Sequence, residues 1–331
     1  MKRKNLLMMA VLIGSSTLFF NPAHADVWRV NNTPGVNAHF TDLDDAVASA
    51  NVKNGDTLYV ELSNSNYSNV TLTKRLVIIG SGYLLNENTG LHANAGQVHI
   101  SSLGFDSLAS GTTVIGISAS FRFNSNVDDI TITRCTGSLF ARNSYANSKV
   151  SNMVINKSYI SIDLLTYTVE NPQITNCLLT ALSLQNTING LVRNNTFILT
   201  AQLRISNSYL SNNLLLTGSL NAVNCTMKNN ISTGNHFPAG NNNQNNVPIA
   251  SLIVNTGTTE GRYRLAPGSP AIGAGETIGG VTPDVGMYGT ADPYIPGGIP
   301  PIPTIYALTV AASVPATATT LDITFSTRSN N

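Results

Sequence analysis

Charge is what this 331-residue chain lacks most. Asp, Glu, Lys and Arg together make up 11% of it, where a globular domain ordinarily carries about a quarter. The net charge is +1, so the overall field selects neither nucleic acid nor an anionic membrane surface. Apolar content is ordinary at 42%, and a chain short of charge yet rich in Ile, Val and Leu is the opposite of a disordered one. Asn, Ser and Thr take the place of the missing charge. Between Leu164 and Pro283 there is no Asp, and Glu occurs only at 170, 260 and 276. His39, His92, His99 and His236 show no metal-ligand spacing. Phosphate loop, nucleophile elbow and dinucleotide fingerprint are all missing.

The first residues carry an address. Lys2, Arg3 and Lys4 form a positive start, and Leu6 to Phe20 is apolar apart from Gly14, Ser15 and Ser16. Ala23-His24-Ala25 is a small-x-small cleavage site, so residues 1–25 read as a signal peptide and Asp26 as the mature start. Cys135, Cys177 and Cys225 all lie far downstream, which excludes a lipid anchor at a Cys after the apolar run. No later stretch is long enough to span a bilayer. The expectation is an exported protein, extracellular, periplasmic or on the outer cell surface, with no transmembrane segment in the mature chain.

Internal periodicity is the main content. The apolar anchors Ile132, Ile155, Ile174, Val192, Leu210 and Met227 follow one another at 23, 19, 18, 18 and 17 residues. Two residues after each come Arg134, Lys157, Asn176, Asn194, Asn212 and Asn229. Three after come Cys135, Ser158, Cys177, Asn195, Asn213 and Asn230; five after, Gly137, Ile160, Leu179, Phe197, Leu215 and Ser232. An apolar–polar–turn–apolar pattern is a strand, a bend and a second strand returning to the same interior. Asn tolerates the left-handed region, which suits it to the bend in the second column. That column is read as facing water. The small third column suits an inward turn, and rungs about 4.8 Å apart let Asn195, Asn213 and Asn230 hydrogen-bond as a ladder. Asn171, Asn207 and Asn224, each three residues before an anchor, form a weaker second series. Cys135 and Cys177 share a column but lie two rungs apart, about 10 Å, beyond disulfide reach. All three thiols are therefore expected free and buried. A leucine-rich repeat is excluded, because its consensus and its helices are missing.

Thr41-Asp42-Leu43-Asp44 opens a short amphipathic helix with Leu43, Ala46, Val47 and Ala50 on one face, suited to covering an open solenoid end. Near the other end stand Leu265-Ala-Pro-Gly-Ser-Pro-Ala-Ile-Gly-Ala-Gly275 and Asp284-Val-Gly-Met-Tyr-Gly289. With the Asn-Asn-x-apolar turns, these segments resemble secreted bacterial parallel β-helix repeat proteins of the pectate-lyase-like superfamily. The resemblance covers roughly residues 27 to 290 and matches no specific enzyme family. The expected fold is all-β: a right-handed parallel β-helix over 26–290 with an N-terminal capping helix. A Pro/Gly-rich linker at 291–303 and a short β segment at 304–331 follow, the latter expected to pack on the helix end or pair with another molecule. Asn241–Asn246 is read as a flexible insertion between rungs.

The resemblance implies either of two chemistries. Lyases of that superfamily use Ca²⁺ held by carboxylates with an Arg or Lys base, and its glycosidases use several Asp in a groove. Both need acidic residues on the central rungs, where this chain has few. The exception is Asp128, Asp129 and Asp163 near Arg134 and Lys157. Arg134 and Lys157 share a column in consecutive rungs, so the pair can hold a carboxylate or sulfate of a glycan. The same pair also fits an ion-pair network on a solvated face, or a base taking a proton alpha to a uronate carboxylate. No metal ligand is assigned and no cofactor is expected. Two readings stay open: a non-catalytic scaffold presenting a polar face to a polysaccharide or cell-surface component, and an extracellular polysaccharide lyase.

Overall fold

The computed structural model describes residues 25–141 and 148–330, so the signal-peptide reading falls almost wholly outside it. The described chain winds into a solenoid of stacked parallel sheets. One sheet has ten strands, from Val27–Val30 to Thr226–Lys228, and a second has nine, from Tyr67–Leu72 to Ile231–Ser232. A third has four short strands, from Val127–Asp128 to Thr187–Ile188. Each strand pairs in parallel with its counterpart one rung away. In the ten-stranded sheet the register runs Ile132–Ile155–Ile174–Val192–Leu210–Met227. In the second sheet it runs Gly137–Ile160–Leu179–Phe197–Leu215–Ser232. Both are columns read from the sequence.

The columns work because pleating sends alternate side chains to opposite faces. Ile132, Ile155, Ile174 and Val192 are fully buried, and each contributes about 1.5–3 kcal/mol by leaving water. The bend that follows each anchor adopts the left-handed conformation at Arg134, Lys157, Asn176, Asn194, Asn212 and Asn229. Inside it, the Asn195 amide donates to Asn213 Oδ1 at 3.1 Å, Asn213 to Asn230 at 2.9 Å and Asn230 to Asn243 at 3.1 Å. Each Oδ1 also accepts the backbone N–H of the residue one rung earlier, as Asn213 does from Asn195 at 3.0 Å. Each Nδ2 also donates to an anchor carbonyl, as Asn213 does to Val192 at 2.9 Å. The interior of each Asn-bearing bend is thereby hydrogen-bonded within the protein.

Both ends are closed. Helix α1 (Leu43–Ala48) starts where the Asp42 carboxylate accepts the Leu43 N–H, and it buries Leu43, Ala46 and Val47 over the core. The first strand's outer edge is met by the Asn31 N–H to Phe40 carbonyl bond and the His39 N–H to Arg29 carbonyl bond. At the other end, Asn241 and Gln244 bond the backbone of Asn229 and Asn230. The segment read as a flexible insertion is therefore a cap that carries the fourth member of the ladder.

Residues 266–303 form an irregular strap that runs back along the solenoid over the left-handed column. Asn229 Nδ2 donates to the Ala274 carbonyl at 2.9 Å, and Asn212 Oδ1 accepts the Glu276 N–H at 2.7 Å. Asn194 donates to the Asp284 carbonyl at 3.0 Å, and Asn176 to the Met287 carbonyl at 3.1 Å. Lys157 pairs with Asp292, and Arg134 donates to the Ile299 carbonyl at 2.6 Å. Rungs ascend in sequence as the strap positions descend, so six stacked side chains hook one ribbon. Strap residues Val285, Met287, Tyr294 and Ile299 are buried. The Pro/Gly-rich stretch read as a linker is thus packed through its middle, because fixed or open φ angles let it follow the rail without a helix or strand of its own. Beyond it, Thr304–Val310 and Ile323–Arg328 form an antiparallel hairpin. Its base is tied to the solenoid by the Ala93 N–H to Ile305 carbonyl bond.

Candidate binding groove

The four residues singled out as a ligand cluster do not come together. Arg134 and Lys157 are one rung apart, since the residues just before them, Thr133 and Asn156, pair in the sheet. They do not face water: Arg134 is 9% exposed and Lys157 7%. The left-handed bend turns both side chains away from the core, as the sequence implies, and the strap then lies over them. Burial lowers the pKa of Arg134 while Asp292 raises it, leaving the net effect downward. Asp128 and Asp129 are exposed and stand at the opposite end of the three-residue strand Thr131–Thr133. Five residues of extended chain from Asp129 to Arg134 is about 16 Å, so no ion-pair network joins them. Asp163 is exposed on the second sheet. Cys135 and Cys177 are free and buried, with their thiols pushed up to about 12 by burial. Cys225 is free but only half-buried; the strand that follows it, Thr226–Lys228, is the last of the ten-stranded sheet.

The weaker Asn series proves the more telling one. Asp129, Asn152, Asn171, Asn189, Asn207 and Asn224 are all left-handed and all exposed. Their side chains form an outer ladder. Asn152 donates to Asp129 at 3.0 Å, Asn171 to Asn152 at 3.1 Å and Asn189 to Asn171 at 3.4 Å. The ladder then breaks, because Asn207 Nδ2 turns to the Thr187 carbonyl at 2.9 Å. It resumes with Asn224 donating to Asn207 at 3.4 Å. At that break lies an open groove of about 520 Å³, lined by Asn189, Gly190, Leu191, Asn207, Ser208, Tyr209, Asn224 and Thr226. Leu191, Tyr209 and Thr226 stack in register on the outward face of the ten-stranded sheet, with Tyr209 half-buried. The groove therefore offers a ring and a short apolar floor flanked by side-chain amides.

One carboxylate organises its strap-side wall. Glu276 Oε1 accepts from the Tyr209 hydroxyl at 2.7 Å and from Lys228 Nζ at 3.1 Å, and Arg193 approaches Oε2 at 3.7 Å. The Arg193 guanidinium also lies 5.8 Å from the Tyr209 ring centre, and its Nε donates to Ser211 at 2.9 Å. These contacts fix the ring. Burial pushes the Glu276 carboxyl up, but Tyr209, Lys228 and Arg193 together more than offset it, and its pKa lies below the usual 4.5. A depressed folded-state value gives stability that is present above the ordinary glutamate pKa and is lost as pH falls through the folded value. We expect this strap contact to weaken only as pH falls below the ordinary glutamate range. Limited proteolysis across an acid pH series measures it, and Glu276→Gln is expected to flatten the acid-induced rise in strap cleavage.

Among the described residues no group of three or more His, Cys, Asp or Glu is placed to hold a metal ion, and no helix is long and apolar enough to cross a membrane. Comparison of the chain with protein-family models and with curated proteins yields no match.

Proposed function

We propose that the chain is an exported, non-catalytic β-helix scaffold of pectate-lyase-like architecture that holds a glycan on the outer face of its ten-stranded sheet. The observation that carries this reading is the broken Asn ladder beside Tyr209. There, exposed amides with spare hydrogen-bonding capacity flank a tyrosine ring that Glu276 and Arg193 hold in place. Rings present apolar area to the C–H face of a sugar, and amides meet its hydroxyls. Lyase chemistry through Arg134 or Lys157 finds less support, since one is bonded to the Ile299 carbonyl and the other to Asp292 beneath the strap.

The test is a polysaccharide panel scored for both retention and breakdown. Retention of at least one polymer, with neither unsaturated products nor new reducing ends, is expected; product from any polymer would refute the non-catalytic role. Tyr209→Phe is expected to keep most of the retention. Tyr209→Ala should lose about tenfold, equivalent to about 1.4 kcal/mol, while cooperative unfolding persists. Unchanged retention in Tyr209→Ala would place the glycan elsewhere.

A further inference from the structure

We infer that the groove takes a neutral, hydroxyl-rich linear glycan lying parallel to the solenoid axis, in contact over about three sugar units. The inference rests on the glycan-binding reading and narrows its ligand. Three observations point the same way.

The first is the charge of the groove. Its eight lining residues are all uncharged. The nearest cations, Arg193 and Lys228, do not line it and share Glu276 on the strap side. A sugar carboxylate or sulfate entering there would face eight uncharged residues, with the adjacent Arg193 and Lys228 already sharing Glu276.

The second is the direction of the hydrogen bonds. The outer ladder fixes each amide, Nδ2 toward one neighbour and Oδ1 toward the next. Where the ladder breaks, Asn189 Oδ1 has no Asn207 amide to meet, because that amide is spent on Thr187. Asn224 ends the series, with no further ladder Asn to donate to its Oδ1. The groove therefore shows acceptors at both its ends, and acceptors require a donor. A hydroxyl donates and accepts; an ionised carboxylate only accepts. A sugar hydroxyl at the break can give its proton to Asn189 Oδ1, which an ionised carboxylate cannot do.

The third is geometry. Asn189, Asn207 and Asn224 occupy one position in three successive rungs, as do Leu191, Tyr209 and Thr226. The span from first to last is about 10 Å along the axis. Groups repeated at one rung spacing match a ligand that repeats along the same line, and a sugar unit advances by a length near one rung. A linear chain along the axis thus meets an amide at each unit, whereas a chain across the sheet meets one at most.

The experiment is isothermal titration of the full chain with neutral gluco-, manno- and xylo-oligosaccharides of one to six units, and with oligogalacturonides of the same lengths, each at low and high salt. The expected result is binding of a neutral series, with affinity climbing to about three units, changing little beyond, and shifting less than twofold with salt. Asn189→Gly and Asn224→Gly keep the left-handed backbone without the side chain, and each should weaken the trimer by about fivefold. Tighter, salt-sensitive binding of oligogalacturonides would overturn the neutral class and leave the glycan reading standing. A single sugar binding as tightly as the hexamer would overturn the axial placement. If neither series binds, the inference and the function it rests on both fall.

Discussion

Replacing Asn213 with alanine should cost the protein about 4 kcal/mol or more, enough to prevent folding in a marginal background. The side chain is fully buried, and four groups depend on it. Its Oδ1 accepts the Asn195 backbone N–H and the Asn195 amide; its Nδ2 supplies the Val192 carbonyl and Asn230 Oδ1. A buried polar group left without its partner costs about 1–3 kcal/mol, and no water replaces the amide in a bend packed against the core. Asn224→Ala is the contrast. It removes a member of the outer ladder whose neighbours are exposed, so water takes over and the cost is the left-handed strain at that position, about 1 kcal/mol. Urea unfolding of both variants decides the matter. Similar midpoints would show that the inner ladder is a by-product of stacking rather than a support of it.

The repeat columns were legible because each is a physical demand made of one residue at a time: apolar at the anchor, left-handed tolerance at the bend, small and polar inside it. Where a rung meets the same demand with another residue, the pattern fades. Val114 pairs with Ile132 and belongs to the anchor column. The bend after it uses Gly116, also left-handed, and the inward position holds Ile117. Neither looks like the Asn-Asn pair, so the repeat does not announce itself in this rung. Asn243 escaped notice for another reason. It joins the ladder only 13 residues after Asn230, because the chain is closing the end there and takes a shorter path.

The candidate site shows the limit of reading rungs alone. Arg134 and Lys157 were placed correctly within their rungs, and their surroundings were not, since what covers them comes from more than a hundred residues later in the chain. Periodicity describes a rung's neighbours above and below; it says nothing of an aperiodic segment laid across them. Tyr209 had a usable signal, an aromatic at an outward strand position two residues after an exposed Asn. Glu276, which holds its hydroxyl, lies on the strap, and so the two meet only in the folded chain. The scarcity of acidic residues read from composition gains meaning here: this Glu is committed to fixing a ring.

The strap's far end can be tested at Gly298. This residue has a φ of +55°, and a Cβ there would fall 2.3 Å from Tyr83 Cε1 and 2.4 Å from the Arg134 carbonyl oxygen. Tyr83 is fully buried and shares a 2.8 Å hydrogen bond with the Tyr294 hydroxyl. Glu260 binds both Tyr294 and, at 2.8 Å, the Gly297 N–H. Neither ring nor backbone can retreat without breaking that set, so Gly298→Ala should lift the strap from Ile295 onward and expose Tyr294 and Ile299. The expected loss is about 3 kcal/mol, from overpacking added to left-handed strain. Gly268→Ala separates the two contributions, since Gly268 also has a positive φ, +74°, and its added Cβ would meet nothing within 4 Å. That variant should lose only about 1 kcal/mol. Proteolysis under native conditions should cut Gly298→Ala first within 291–303 while the rungs stay intact. Cleavage there no faster than in Gly268→Ala would mean that the hooks at Asn176, Asn194, Asn212 and Asn229 hold the strap by themselves, and that the Tyr83–Tyr294–Glu260 junction merely fills space.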